Sequence, residues 1–150
     1  MDIETLRTQE SLLVWPRFGA TDAIALGLIL LDMGRADSLP IAINIRTPNQ
    51  TLFHAALPGA TPLNDLWALR KSNAVLTYHI SSLHLGETMR ARGKTFANDG
   101  LPEGDYAAHG GSFPIRLASG QVIAAVTVSG LPQLDDHALV IAALKQALQL

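Results

Sequence analysis

Residues 41–57 constrain the fold most. Ile41, Ile43 and Ile45 alternate with Ala42, Asn44 and Arg46, and Pro48-Asn49 then interrupts the run before residues 51–57 offer a returning strand. A period of two places successive side chains on opposite faces of a sheet, and a short turn between two such runs makes an antiparallel hairpin the natural connection. The pattern recurs near the C-terminal end. Phe113, Ile115 and Leu117 alternate, Ser119-Gly120 supplies a two-residue turn, and residues 122–129 return before Leu131-Pro132 breaks the strand.

The remaining chain reads as helices around these hairpins. Residues 2–13 form a short helix with Asp2 as N-cap and Ile3, Leu6 and Leu13 on its apolar face, ended by Trp15-Pro16. A second helix starts after Thr21 and runs to Met33, with Gly34 as its stop. Its stretch from Ala23 to Leu31 is apolar nearly all round, as in a helix buried on more than one side. Thr61 or Asn64 caps a helix over about 63–79, Ser81 or Ser82 caps another that ends at Arg92, and a last helix spans about 134–148. Between them, residues 93–111 are rich in Gly, Asp and Asn and hold one helical turn near Tyr106. Long stretches of this kind are usually functional. The expectation is one α+β domain over residues 1–150, in the order α-α-β-β-α-α-β-β-α, with an antiparallel sheet built from two β-hairpins and helices packed on it.

Composition narrows the function. Apolar residues make up 48% and charged residues 16%, which excludes disorder and leaves apolar surface to be hidden between subunits of a homo-oligomer. The net charge of −2 gives no electrostatic reason to bind nucleic acid or an anionic membrane. With no cysteine, thiolate metal sites and cysteine nucleophiles are excluded. The start Met1-Asp2-Ile3-Glu4 lacks the basic and apolar regions of a signal peptide, and the longest apolar run ends at Asp32, so a cytoplasmic protein without a membrane span is expected.

Familiar motifs fail on spacing. Gly86 to Thr95 resembles a phosphate loop, but the first glycine falls inside a predicted helix and the spacing is two residues too long. His79 and His84 cannot share a metal as an i, i+4 pair would, and read as helix-surface histidines. His109-Gly110-Gly111 looks like an oxyanion loop, but the chain has no G-x-S-x-G elbow. Trp67, Arg70 and Lys71 fall at i, i+3 and i+4 on one helix face, where an aromatic plate beside two cations suits a flat anionic ligand or, more simply, packing with snorkelling cations. Arg90, Arg92 and Lys94 complement the dipole at a helix C-terminus.

One block stands apart. Residues 105–116, Asp-Tyr-Ala-Ala-His-Gly-Gly-Ser-Phe-Pro-Ile-Arg, place a histidine, a tyrosine and two glycines just before a strand, and glycines let a ligand approach the backbone. This block, with Gly120 and the run Val122 to Gly130, resembles the family named for a heme-degrading domain, which includes the GlcG-like, HbpS-like and PduO C-terminal proteins. The stretch Leu57 to Pro62 through Trp67 to Ser72 looks like a largely uncharacterised branch of that family. The resemblance runs from about residue 20 to 145.

The resemblance implies an antiparallel sheet with packed helices, assembly into dimers or larger rings, and heme binding in some members. The positions it matches are Arg70, Lys71, Tyr106, His109, Gly110, Gly111, Phe113 and Ser129. Three readings follow. The first is a small oligomeric ligand-binding protein for heme or another tetrapyrrole, with His109 on the iron, Tyr106 as a second donor, and Arg70 or Lys71 on the propionates. The second is an enzyme for a small polar or anionic substrate with His109 as acid or base. The third is an oligomeric interaction protein without catalysis. No catalytic set carries over, so the sequence does not establish an enzyme.

Overall fold

The computed structural model describes all 150 residues. Five helices and five strands occur in the order α1 (Ile3–Leu12), β1 (Val14–Trp15), α2 (Ala20–Ala36), β2 (Ala42–Arg46), β3 (Thr51–Ala56), α3 (Pro62–Tyr78), α4 (Ser82–Arg92), β4 (Ser112–Leu117), β5 (Val122–Ser129) and α5 (Gln133–Ala147). Both hairpins form as expected, and they join through an antiparallel β2–β5 pairing. The sheet order is β1-β4-β5-β2-β3. The short strand β1 runs parallel to β4, pairing Val14 with Arg116 and Trp15 with Leu117, so the sheet is mixed. Trp15 therefore does more than end α1: its carbonyl accepts from Ala118 N, and its side chain joins the core.

Side-chain alternation gives the sheet two different faces. Ile41, Ile43, Ile45, Phe113, Ile115, Ala124, Val126 and Val128 pack with Leu26 and Leu30 of α2 and with Val140 and Leu144 of α5 into the main core. The opposite face is small and polar, and α3 lies across it. There Arg46 donates to Ser72 Oγ at 2.8 Å and to Asn73 Oδ1, while Ser112 Oγ and Thr127 Oγ1 pair at 2.8 Å. Both faces are thus covered, and buried polar groups on the α3 side find partners.

Two sequence expectations are corrected here. Gly34 does not stop α2, which continues to Ala36. A side chain at Gly34 would strike Leu57, so the glycine serves close helix–sheet approach. His84 is no surface residue. It is 6% exposed, and its Nδ1 meets the Glu10 carboxylate at 2.9 Å, tying α1 to α4. Local capping follows expectation: Thr5 N donates to Asp2 Oδ1 at 2.7 Å, and His84 N donates to Ser81 Oγ at 3.1 Å.

Candidate functional site

Lys71 organises the end of the sheet where residues 106–111 meet α3. Its Nζ donates to Gly110 O at 3.0 Å, Val128 O at 2.7 Å and Asp136 Oδ2 at 3.2 Å. An ammonium has three donors, so all are used. One side chain thereby joins α3, the incoming loop, the end of β5 and the first turn of α5. Burial holds the Lys71 amine below its ordinary range and the Asp136 carboxyl above it, and the attraction between the two charges opposes both shifts. Asp136 also accepts from Leu131 N at 3.0 Å, which fixes the turn between β5 and α5.

The loop is held along its length. Arg70 Nη2 donates to Tyr106 O at 3.0 Å and Glu103 O at 3.3 Å, Ala107 N donates to Arg70 O at 3.1 Å, and Asn73 Nδ2 donates to Asp105 O at 2.8 Å. The segment carries two 3-10 turns, Phe96–Asp99 and Glu103–Asp105, while Tyr106 itself is extended, so the helical turn expected at Tyr106 lies just before it. Gly86 matters to this seating, because a Cβ there would overlap Ala108 O. Gly111 has φ +132°, and any side chain on it would meet Val128 O and the Lys71 amine.

Two clefts result, and His109 borders both. The first, about 300 Å³, lies between α3 and the β5–α5 turn and is lined by Trp67, Lys71, His109, Gly110, Ser129 and Gln133, among others. The second, about 460 Å³, lies between the loop and α4, with Arg70, Arg90, Lys94, Phe96 and Tyr106 on its walls. The exposed His109 ring stands edge-on to Trp67 with centroids 5.3 Å apart, and the Arg70 guanidinium covers the same indole at 4.5 Å. Partial burial, then the cations Arg90, Lys71 and Arg70, hold the His109 pKa below its ordinary value of 6.5. The imidazole is therefore neutral at neutral pH.

The structure gathers Arg70, Lys71, Tyr106, His109, Gly110 and Ser129 around these clefts, buries Gly111 against the Lys71 amine outside both linings, and leaves Phe113 out. Phe113 is 1% exposed in the main core, with its ring 6.2 Å from that of His137. It follows Ser112 on β4, and the strand period sends it to the other sheet face. Lys71 lines the first cleft but spends its donors on the protein. Asp136, Gln133 and Arg90 are the residues that sequence reasoning missed at these clefts. For Arg90, the helix-dipole explanation concealed its position beside the loop. Asp136 looked like an ordinary first-turn acid, and no local signal reveals its partner 65 residues away.

A mixed α+β sheet with a histidine-bearing loop seated on its polar face is the class of protein these observations define. The chain belongs to the family described as haem degrading protein HbpS-like, whose model matches residues 18–145. It is 48% identical over 145 residues to a UPF0303 protein of Streptomyces coelicolor, covering 96% of this chain and 92% of the relative. Among solved structures it is similar to the Ybr137w protein, with a TM-score of 0.88 and 28% identity over 99% of this chain and 89% of that one. It also shares its fold with a PduOC:heme complex, with a TM-score of 0.71 and 15% identity over 84% of this chain and 94% of that one. No helix is long and apolar enough to cross a membrane.

Proposed function

We propose that the protein is a small-molecule-binding module that takes heme or a related tetrapyrrole at the junction of the two clefts, with His109 as the iron ligand. The observation that carries this reading is the state of the His109 ring. His54, His84 and His137 each engage a ring nitrogen in a hydrogen bond, and the exposed His79 lines neither cleft, whereas the His109 ring borders both clefts, packs on Trp67 and stays exposed. A neutral imidazole with an available nitrogen between two clefts is the donor that heme iron takes as an axial ligand. The residues fit the group in other respects. Arg70 and Arg90 stand on the second cleft, where propionates can meet guanidinium groups, and Trp67 gives the first cleft an apolar wall. Each cleft falls in the range of about 300–1,000 Å³ typical of ligand sites. Lys71 is not a propionate partner, because its donors are already taken. The family description and the heme complex of a protein with this fold support the same reading. It is a reading of binding, without turnover.

Titration with heme tests it. The wild type should show a saturable Soret shift at below ~10 μM, the affinity expected of specific binding, and His109→Ala should lose the axial-ligand signature. No saturable shift in the wild type would overturn the proposal and leave His109 as an acid or base toward a small anionic substrate. Equal spectra for both proteins would overturn the choice of His109 alone.

We also infer a homo-oligomer. Ile24, Leu28, Leu63, Leu66, Leu69 and Leu134 are about half exposed, which is a large apolar area for a chain with so few charges.

A further inference from the structure

The inferred oligomer needs an interface, and the sheet offers one at β3. This strand is the outer member of the order β1-β4-β5-β2-β3, so one side of its backbone has no partner strand. Leu57 N donates to Ile41 O at 2.9 Å, and the β2–β3 register sets Ile43 opposite Ala55, Asn44 opposite His54 and Ala42 opposite Ala56. In an antiparallel pair, hydrogen-bonded and non-hydrogen-bonded positions alternate. Ala55 therefore bonds toward β2, while His54 and Ala56 turn their N–H and C=O groups to the open edge.

Natural edge strands are usually blunted by lysine, proline or an inward charge. Residues 51–56, Thr-Leu-Phe-His-Ala-Ala, carry none of these. The flank is apolar on the α2 face. On one side Phe53 covers Gly27 of α2, and the adjoining stripe of that helix exposes Ile24 and Leu28, at 49% and 48%. Leu31, one turn further on, borders the cleft that reaches Ala56 and Pro58. On the other side Asp65 of α3 meets His54 at 3.3 Å. Leu69 follows Asp65 on the same helical stripe and is 47% exposed. The edge thus offers unpaired backbone groups at its centre, hydrophobic side chains on the α2 face and the His54–Asp65 pair on the α3 face.

The open backbone calls for another extended strand, and the apolar α2 flank calls for a partner that brings hydrophobic surface on the same face of that strand. A second copy of this chain offers both at once. An antiparallel pair of identical strands is self-complementary about a two-fold axis, as an isologous dimer requires. We propose that β3 pairs antiparallel with β3 of a second copy, His54 near the axis, so that the two five-stranded sheets become one continuous sheet. Ile24 and Leu28 then cover the seam on the α2 face. This rests on the inferred oligomer and names its interface.

Proline at position 54 separates the possibilities, since it removes an edge-facing N–H and leaves the β2–β3 ladder intact. The mass of wild type, His54→Pro and His54→Ala is measured by sedimentation, with circular dichroism to confirm folding. The wild type and His54→Ala should share one assembly, and His54→Pro should have half its mass. A monomeric wild type overturns the oligomer itself. An assembled, folded His54→Pro overturns β3 pairing while the oligomer stands, as does a dissociated His54→Ala, whose N–H is intact. If His54→Pro fails to fold, Ile24→Glu/Leu28→Glu serves instead, because both side chains are exposed on α2. Dissociation supports the seam and an unchanged mass overturns it.

Discussion

Lys71 and Asp136 meet at 3.2 Å with both side chains almost wholly removed from solvent. Breaking a buried pair by removing one partner leaves an uncompensated charge and costs about 3–5 kcal/mol. Asp136→Ala should therefore destabilise the fold by roughly that amount in urea unfolding. Lys71→Met also frees the carbonyls of Gly110 and Val128. The double variant Lys71→Met/Asp136→Leu should lose clearly less than the sum of the single losses. Additive losses would show that the two groups stabilise the fold independently.

Gly86 explains why a glycine interrupts an otherwise regular helix. A Cβ at this position would overlap the Ala108 carbonyl, which belongs to the loop that presents His109. Gly86→Ala raises helix propensity, yet the overlap with backbone should dominate and cost about 1–3 kcal/mol. Unfolding measures the loss. A stabilised Gly86→Ala would show that the loop yields freely.

Much of the fold is legible in the sequence because its signals are local. Alternation in residues 41–47 and at Phe113, Ile115 and Leu117 announces the hairpins, Asp2 announces the start of α1, and Ser81 or Ser82 that of α4, where Ser81 proves to be the cap. What escapes is decided by distant chain. With two residues, β1 is too short to show a period, and its partner is β4, about a hundred residues on. His84 reads as a surface residue until Glu10, 74 positions earlier, closes over it. The candidate site divides the same way. Gly110 and Gly111 mark a tight approach that the sequence signals, whereas the internal role of Lys71 depends on three segments of chain meeting at one amine.

His137 gives the fold a pH dependence whose sign is fixed. The ring is 1% exposed, its Nε2 meets Gln9 Oε1 at 2.8 Å, and its Nδ1 has no partner. Burial first, and then the N-terminal ammonium, push its pKa from 6.5 down to about 4. As pH falls through the ordinary value, the unfolded chain takes up a proton that the folded protein refuses until about 4. Stability is therefore lost across that window, by about 2 kcal/mol between about pH 7 and pH 5 for this residue. Urea unfolding at the two pH values should show a smaller drop in His137→Gln than in the wild type. Equal drops would mean that another group carries the acid sensitivity.

The charge state of His109 can be examined without any ligand. Partial burial and the neighbouring Arg90, Lys71 and Arg70 cations favour the neutral ring, so in the apo protein its imidazole should titrate below 6.5 by nuclear magnetic resonance. Of these cations, Arg70 anchors the loop and Lys71 holds three segments together, so replacing either would disturb the structure. Arg90 is the informative one, because its guanidinium pairs only with Glu87, at 2.7 Å on the exposed surface of α4. Arg90→Gln removes a repelling charge, so the His109 midpoint should rise toward 6.5 while stability changes by less than about 0.5 kcal/mol, as for most surface substitutions. The heme reading adds a second consequence. Iron ligation needs the unprotonated nitrogen, so in the wild type the Soret signal should survive to lower pH than an unperturbed histidine would allow. In Arg90→Gln, followed at saturating heme because Arg90 also faces the propionates, it should disappear at a higher pH, in step with the His109 midpoint. A midpoint that moves without the Soret signal following it would assign the ligation to another group.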